Sequence, residues 1–214
     1  FDSMIAKILN QNKGHISTGV IGTQWLMRGL TQNGRADVAY KIASNTDYPS
    51  WGYMVENGAT TIWELWNGNT ANPEMNSANH VMLLGDLVIW YYEHLAGIKS
   101  REKAFKVIEM NPEMITGLDE VKASFQSIHG KIVSEWKKDN SSFAWHIVVP
   151  ANTKALVYLP TNKVASVKEG SNLVTKSTGV HFLKIENGKA LFEVESGDYH
   201  FNITGSTGFS PLKK

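Results

Sequence analysis

The spacing of apolar residues changes near residue 97, and this change limits the possible folds more than any other feature. Before that point, apolar residues recur every three or four positions, which is the period of an amphipathic helix. After it, they fall in short runs separated by turn signals, which is typical of β-strands. The sequence therefore predicts a helical domain followed by a β-rich domain, with the boundary between Gly97 and Arg101.

Three helices are predicted in the first domain, over residues 18–31, 35–44 and 79–96. Asn33-Gly34 and Gly97 provide their ends, because glycine readily adopts the left-handed conformation after a helix. The apolar residues expected to face a core are, in order along the chain, Val20, Ile21, Trp25, Leu26, Leu30, Ala36, Ala39, Tyr40, Ala43, Val81, Leu84, Val88, Tyr91 and Leu95. The intervening stretches 49–58 and 66–77 are predicted to be long loops, which often carry function.

Six β-type runs are predicted in the second domain, and their even spacing indicates an antiparallel β-sandwich. Asn187-Gly188 separates two alternating runs and predicts a two-residue hairpin turn. The six runs cover residues 123–135, 142–149, 155–159, 180–185, 190–194 and 198–203.

Composition excludes several classes of function. The net charge of the 214 residues is +1, so we expect neither nucleic acid nor membrane as a partner. The chain has no cysteine, which excludes disulfides, thiolate catalysis and cysteine-ligated zinc. The most apolar stretch, residues 81–95, is interrupted by charges and is too short to span a bilayer. Because the chain opens on Phe1 without an initiator methionine, we expect it to start inside a longer protein, whose compartment stays open between periplasmic, extracellular and cytoplasmic.

One carboxylate lies between two tryptophans, in the segment Thr60-Thr61-Ile62-Trp63-Glu64-Leu65-Trp66. A carboxylate in such a place can deprotonate a water molecule. Trp51, Trp63 and Trp66 are predicted to lie in loops, where their rings can stack on the CH faces of a sugar. The alternative is a surface glutamate at the edge of a packed aromatic pair, and from spacing alone this is the commoner case.

The segment Ser77-Ala78-Asn79-His80 precedes the third predicted helix. Ser77 or Asn79 is expected to cap that helix, which places His80 in its first turn, where it can donate to or accept from a sugar hydroxyl. His15 similarly precedes the first predicted helix. For each histidine, a structural role is the alternative.

No metal site and no cofactor are expected from the sequence. The HExxH motif is absent, and His15, His80 and His94 lie far apart. Asp86 and Glu93 are interpreted as solvated charges on the polar side of the third helix.

Four segments, taken together and in order, resemble the bacterial α-L-rhamnosidases, glycoside hydrolase family 78. They are His15-Ile16-Ser17-Thr18-Gly19, Pro49-Ser50-Trp51-Gly52-Tyr53-Met54, Gly58-Ala59-Thr60-Thr61-Ile62-Trp63-Glu64-Leu65-Trp66 and Ser77-Ala78-Asn79-His80. The resemblance implies that residues 1–98 are the last helices of an incomplete (α/α)₆ barrel, and that residues 99–214 form the antiparallel β-sandwich domain that follows it.

The resemblance also implies hydrolysis of terminal α-L-rhamnose with inversion, in which Glu64 is the general base and His80 contacts the sugar. Trp51 and Trp66 are implied to lie near the pocket, and we add Trp63, Asn79 and His15 as candidate substrate-binding residues. Many members have aspartate where this chain has Ser17, so no role is assigned to Ser17.

The general acid of the family belongs to a segment far upstream, which this chain lacks. We therefore expect an enzyme fragment whose partners are rhamnose-containing glycosides or polysaccharides and the missing N-terminal part of the same protein. The isolated chain is expected to be inactive. Two alternatives stay open, a non-catalytic carbohydrate-binding or accessory module and a structural interaction domain.

Overall fold

The computed structural model describes residues 1–205, apart from five side chains, those of Val20, Ile21, Val81, Met82 and Leu84. The predictions that Val20, Ile21, Val81 and Leu84 face a core therefore lie outside the described residues. The chain divides into two compact units, Phe1–Trp90 and Tyr91–Lys214. In the part of the chain that is described, no helix is both long and apolar enough to cross a membrane.

The first unit is helical, as predicted. Its α-helices are α1 (Asp2–Ala6), which continues into a π-helical turn at Lys7–Gln11, α2 (Val20–Gln32), α3 (Ala36–Ser44), α4 (Trp51–Glu56) and α5 (Val81–Trp90). Helix α4 lies in a stretch predicted to be a loop, so that prediction is wrong. The helix forms despite Gly52 because the Ser50 hydroxyl caps it, accepting a hydrogen bond from the Tyr53 N–H at 2.9 Å.

In helix α2, the prediction that Leu30 faces the core is confirmed, but the one for Trp25 is not. Thr23, Met27 and Leu30 are buried, whereas the Trp25 side chain is 65% exposed. Residues 23, 27 and 30 repeat at four- and three-residue steps and so share a face, while residue 25 lies roughly opposite to them. The prediction that Trp25 faces the core is wrong.

Helix α5 is shorter than predicted, and the prediction that Val88 faces the core is wrong, whereas Leu95, beyond the end of α5, is buried as predicted. Leu83, Leu87 and Trp90 are buried, and Val88 is exposed. The Trp90 indole N–H donates to the Thr31 hydroxyl at 2.9 Å, which ties α5 to α2 inside the first unit. A π-helical turn at Tyr91–Leu95 follows in sequence and belongs to the second unit.

The second unit is a β-sandwich of two sheets. Its strands are β1 (Ile98–Ser100), β2 (Val107–Met110), β3 (Glu120–Ser127), β4 (Gly130–Lys138), β5 (Ser142–Val149), β6 (Lys154–Leu159), β7 (Val167–Glu169), β8 (Asn172–Leu173), β9 (Val180–Glu186), β10 (Lys189–Val194) and β11 (Gly197–Thr204). One sheet has the order β1-β2-β6-β10-β9 and the other the order β3-β4-β5-β11-β7-β8.

The predicted strands are present with small differences. The run 123–135 is two strands, β3 and β4, joined by a tight turn between Ser127 and Gly130. The Asn187-Gly188 hairpin is confirmed, with positive φ at both residues, 49° and 73°. Among the described strands, the β2–β6 pair is parallel and departs from the predicted antiparallel pattern. The chain forms β3, β4 and β5 in the other sheet between these two strands, and a parallel pair needs such a long crossover.

The core of the second unit lies between its sheets and includes Ile108, Trp136, Trp145, Phe192 and Phe201, all fully or nearly fully buried. Strand β4 also completes the end of the π-helical turn. The Trp136 indole N–H donates to the Leu95 carbonyl at 2.8 Å, and the Ser134 hydroxyl donates to the Ala96 carbonyl at 2.6 Å. These side chains satisfy two of the carbonyls that a helix end leaves without partners.

Candidate active site

A cavity of about 340 Å³ lies within the first unit. Three of the four motif segments line it, through residues 16–19, residues in the range 48–54 and residues 62–66. Thr23 of α2 and Leu83 and Asp86 of α5 complete the wall. The fold therefore brings together segments that are far apart in sequence, around a pocket of the size that small ligands occupy.

Glu64 is half-buried on this wall and is held by backbone groups. Its Oε2 atom accepts a hydrogen bond from the Ser77 N–H at 2.9 Å, and its own N–H donates to the Ser77 carbonyl at 2.9 Å. In the described part of the chain, its Oε1 atom accepts no hydrogen bond. The donor on Oε2 fixes the position of the carboxylate, while Oε1 remains available to a water molecule.

The segment around Glu64 and the segment ending at His80 lie side by side. Besides the two bonds between Glu64 and Ser77, the His80 N–H donates to the Ile62 carbonyl at 2.8 Å. The Thr61 hydroxyl adds a side-chain bond to Asn79 Oδ1 at 2.8 Å. This pairing connects the third and fourth motif segments, and it fixes the backbone on which Glu64 is placed.

The three candidate tryptophans have different environments. Trp51 and Trp66 meet edge to face, with ring centroids 5.3 Å apart and planes at 82°. The Trp66 indole N–H donates to the Thr18 carbonyl at 3.4 Å, which joins the first motif segment to the third. Trp63 contributes to the wall but is buried, and Gly68 packs against its ring so closely that a Cβ there would lie 2.6 Å from it. Trp51 is buried to the same extent as Trp63, so the half-buried Trp66 is the best placed of the three to meet a ligand.

His80 and Asn79 flank the site and are not part of the cavity wall as described. His80 directly precedes α5, one position earlier than the predicted first turn. Its Nδ1 atom is shielded from solvent and has no hydrogen-bond partner among the described residues. A buried polar atom without a partner costs about 1–3 kcal/mol, and such atoms are often found at functional sites.

Both ring nitrogens of His15 have hydrogen-bond partners within the first unit. Its Nδ1 atom lies 3.0 Å from the Asn12 carbonyl, and its Nε2 atom lies 2.7 Å from Asp47 Oδ1. The hydrogen bond from His15 lowers the pKa of Asp47 below its ordinary value. With an acceptor at each ring nitrogen, the geometry favours the structural alternative for His15 over the predicted contact with a sugar.

Two family descriptions match the chain. Residues 1–95 match the bacterial alpha-L-rhamnosidase 6 hairpin glycosidase domain, and residues 97–173 match the bacterial alpha-L-rhamnosidase C-terminal domain. The chain belongs to the bacterial α-L-rhamnosidase family. Every residue of the cavity wall lies within the first of the two matches.

Curated relatives of this rhamnosidase-family chain are several times longer than it is. An alpha-L-rhamnosidase from Streptomyces avermitilis is 33% identical over 207 residues, which cover 94% of the chain and 19% of the relative. One from Formosa agariphila is 33% identical over 198 residues, covering 90% of the chain and 21% of the relative. The chain thus spans about a fifth of the length of these relatives.

Solved rhamnosidase structures share the fold of this chain. The Streptomyces avermitilis enzyme complexed with L-rhamnose superposes with a TM-score of 0.83 at 33% identity, covering 95% of this chain and 19% of that one. The enzyme from Dictyoglumus thermophilum superposes with a TM-score of 0.81 at 34% identity, covering 95% of this chain and 23% of that one.

The cavity wall also contains a residue that was interpreted from the sequence as a solvated charge. Asp86 is half-buried on the wall, and desolvation raises its pKa although the nearby Arg28 acts in the opposite direction. The available signal was an acidic residue in the otherwise apolar run of α5. An acid there is usually a solvated charge, and only the fold shows that this one faces the cavity.

Proposed function

We propose that this chain supplies the general base of an inverting α-L-rhamnosidase, and that Glu64 is that base. The reaction is the hydrolysis of terminal α-L-rhamnose from glycosides or polysaccharides. In the proposed step, Glu64 Oε1 removes a proton from a water molecule, which attacks the anomeric carbon from the face opposite the leaving group. The observation that carries the proposal is a carboxylate on the cavity wall with one oxygen held by the backbone and the other available.

The walls of the cavity suit a deoxy sugar. Trp66 and Leu65 provide apolar surface that can contact the CH faces and the methyl group of rhamnose, and the buried side chains Trp51, Met54 and Leu83 complete the apolar part of the wall. Asp86 is placed to accept or donate a hydrogen bond to a hydroxyl, and His80 is proposed to contact the sugar once the rest of the barrel is present.

The general acid is proposed to come from the part of the protein outside this chain. An inverting glycosidase needs two carboxyl groups roughly 6.5–9.5 Å apart, with one of them protonated. The chain covers about a fifth of each relative, and the rest of a protein of that length can provide the general acid. We therefore expect the isolated 214-residue chain to hydrolyse an aryl α-L-rhamnoside no faster than buffer. Turnover at an ordinary enzymatic rate would instead point to an acid within the chain, and Asp86 would be the first residue to test.

The role of Glu64 is tested by Glu64→Gln in the complete parent protein. The substitution keeps the shape of the side chain and removes the base, so kcat should fall about 10²–10⁴-fold with little rise in KM. Glu74→Gln is the matched control, because Glu74 is an exposed glutamate in the same loop and makes no contribution to the cavity wall. It should leave kcat unchanged.

Azide separates loss of the base from general damage to the site. A small anion can enter the position of the missing nucleophilic water, so azide should partly restore turnover of an activated rhamnoside by the Glu64→Gln variant. The product should be the inverted β-rhamnosyl azide. A near-normal kcat in this variant would show that Glu64 is only a packed carboxylate, and the cavity would then be assigned to sugar binding without catalysis.

A further inference from the structure

A row of titratable side chains crosses the outer face of the six-stranded sheet. Glu135 on β4 lies directly opposite His146 on β5, and His146 lies directly opposite His200 on β11. Asp198 is two residues before His200, so it lies on the same face of β11. The sequence did not predict this group because its members come from three strands and are separated by up to 65 positions (from 135 to 200).

The distances among three of these side chains suit a single metal ion. Asp198 Oδ1 lies 2.9 Å from His146 Nε2 and 3.5 Å from His200 Nε2. One ligand atom from each residue lies within 4.8 Å of the others. A tetrahedral zinc ion with bonds of about 2.0–2.1 Å holds neighbouring ligand atoms about 3.3 Å apart. The two distances from Asp198 Oδ1 lie on either side of this value, so the carboxylate is already close to the position that an ion shared with both histidines requires.

Glu135 gives His146 the orientation that metal-ligating histidines commonly have. Its Oε2 atom lies 3.3 Å from His146 Nδ1. With a metal bound at Nε2, the proton of the neutral ring is on Nδ1, where the Glu135 carboxylate accepts it. Nε2 is the nitrogen that faces Asp198.

The surroundings allow an ion to approach and to retain water. Side-chain exposures are 26% for His146, 63% for Asp198 and 62% for His200. His146 and His200 line a shallow groove that also contains Lys122 and Lys137. Both lysines pair with Glu120, at 2.8 Å and 3.9 Å, which reduces their repulsion of an incoming cation. The rings of His146 and His200 are stacked, with centroids 4.4 Å apart and planes at 9°. Their lone pairs are therefore nearly parallel, and the rings must tilt toward each other to share an ion.

We propose that His146, Asp198 and His200 form a binding site for one divalent transition-metal ion of the zinc class, with Glu135 as the partner that orients His146. Imidazole and carboxylate ligands suit zinc, and three protein ligands leave a coordination position for water. The site belongs to the β-sandwich and does not depend on the proposed catalytic role of Glu64.

Calorimetric titration of the full 214-residue chain with Zn²⁺ tests the site, after metal removal and in a buffer that does not chelate. We expect saturable binding of one ion per chain. His200→Ala and Asp198→Asn should each weaken binding at least tenfold, and Glu135→Gln should weaken it about 10–100-fold by removing the orienting partner. Nuclear magnetic resonance signals of the His146 and His200 rings should shift as Zn²⁺ is added.

His181→Ala is the matched control. His181 is an exposed histidine of the same unit that lies 3.3 Å from a carboxylate of Glu195, outside the proposed site. It should leave Zn²⁺ binding unchanged. Absence of one-to-one binding, or equal losses in the His181→Ala and His200→Ala variants, would overturn the proposal. Melting temperatures measured without metal identify any variant that fails to fold. If a histidine variant does not fold, Zn²⁺ binding by Asp198→Asn, which keeps the shape of the side chain, decides whether the site exists.

Discussion

The helical and β-rich units bury their apolar residues in different ways. In the β-rich unit, side chains from both sheets form one continuous buried core. In the helical unit, each helix buries one face, while Trp25, Val55 and Met75 are 65%, 69% and 77% exposed. The β-rich unit thus contains the partners that its core requires. Both units also expose some large apolar side chains, Ile128 of the β-rich unit at 82% among them, and we propose that the rest of the parent barrel covers those of the helical unit.

The largest expected effect comes from dividing the chain. A polypeptide of residues 91–205 should unfold in one cooperative transition with a β-type far-ultraviolet circular dichroism spectrum. A polypeptide of residues 100–204 should be much less stable, because it lacks most of β1 and the Leu95 and Ala96 carbonyls that accept from Trp136 and Ser134. Buried donors left without acceptors cost about 1–3 kcal/mol each. Thermal melts of both polypeptides test this, and equal stability would mean that the π-helical turn contributes nothing to the β-rich unit.

The next largest effect is expected for Gly97→Ala in the β-rich unit. Gly97 has φ +78°, and an added Cβ would overlap Pro112 N and lie 2.6 Å from the Asn111 carbonyl carbon. The left-handed conformation and the backbone overlap together should lower the free energy of unfolding by about 2–5 kcal/mol. Gly117→Ala is the control, since Gly117 has φ +84° but open space around it, and should cost about 1–2 kcal/mol. Urea unfolding measures both, and similar losses would show that the Pro112 contact is easily relieved.

Gly52→Ala tests the helical unit in the same way. A Cβ at Gly52 would overlap the Asn45 carbonyl oxygen and lie 2.9 Å from Thr46 Cα. We expect a loss of about 1–3 kcal/mol together with displacement of α4 and its Trp51 ring, measured by thermal unfolding and tryptophan fluorescence. Gly29→Ala, in α2 with nothing within 4 Å of the added Cβ, should be neutral or stabilising by up to about 1 kcal/mol. If the two variants have the same stability, α4 can move away from the backbone of Asn45 and Thr46 at little cost.

The smallest effects concern pH, and they have opposite signs in the two units. Hydrogen bonds from the backbone and hydroxyls of Ser141 and Ser142 lower the pKa of Asp139 to about 2. Asp139 therefore contributes stability above its ordinary pKa of 3.8, and this contribution is lost as the pH falls toward 2. Desolvation raises the pKa of Asp86, so Asp86 favours the folded state below its ordinary pKa and loses that contribution as the pH rises through the folded value.

Substitution by asparagine distinguishes the two carboxylates. Asp139→Asn should lower the melting temperature at pH 7 and have less effect near pH 2. Asp86→Asn should raise the melting temperature slightly at pH 7, because it removes a carboxylate that is costly to ionise in the fold. Melting curves from pH 2 to pH 7 measure both trends, and trends of the same sign in the two variants would contradict the opposite pKa shifts.

The regular alternation of apolar and polar residues made the β-rich unit the more predictable of the two. In β5, Phe143, Trp145, Ile147 and Val149 are buried while Ala144 points outward, and the predicted run has the bounds of the strand. Strands of two to four residues, such as β1 and β8, are too short to show a period. Helix α4 was missed because glycine and aromatic residues are weak helix formers, and a side-chain cap outweighs that preference.

The candidate site was predictable in its residue types but not in its geometry. The resemblance indicated Glu64, Trp51 and Trp66, which all lie on the cavity wall. The hydrogen bond from the Ser77 N–H to Glu64 leaves no mark in the sequence, because any residue except proline carries that donor. Asp86 was misread for a related reason, since residue type alone does not show which charges face a cavity.

The pairing of Glu64 with Ser77 has a consequence for how such a site evolves. A main-chain N–H is kept in every substitution except one to proline, so most substitutions of Ser77 preserve the hydrogen bond to the Glu64 carboxylate. Residues 65–76 are closed off by this pairing, and lengthening a closed loop is inexpensive, about 0.6 kcal/mol for each doubling of its length. Insertions and deletions can therefore reshape the loop beside the cavity, and with it the shape of the proposed sugar pocket, while Glu64 stays in position.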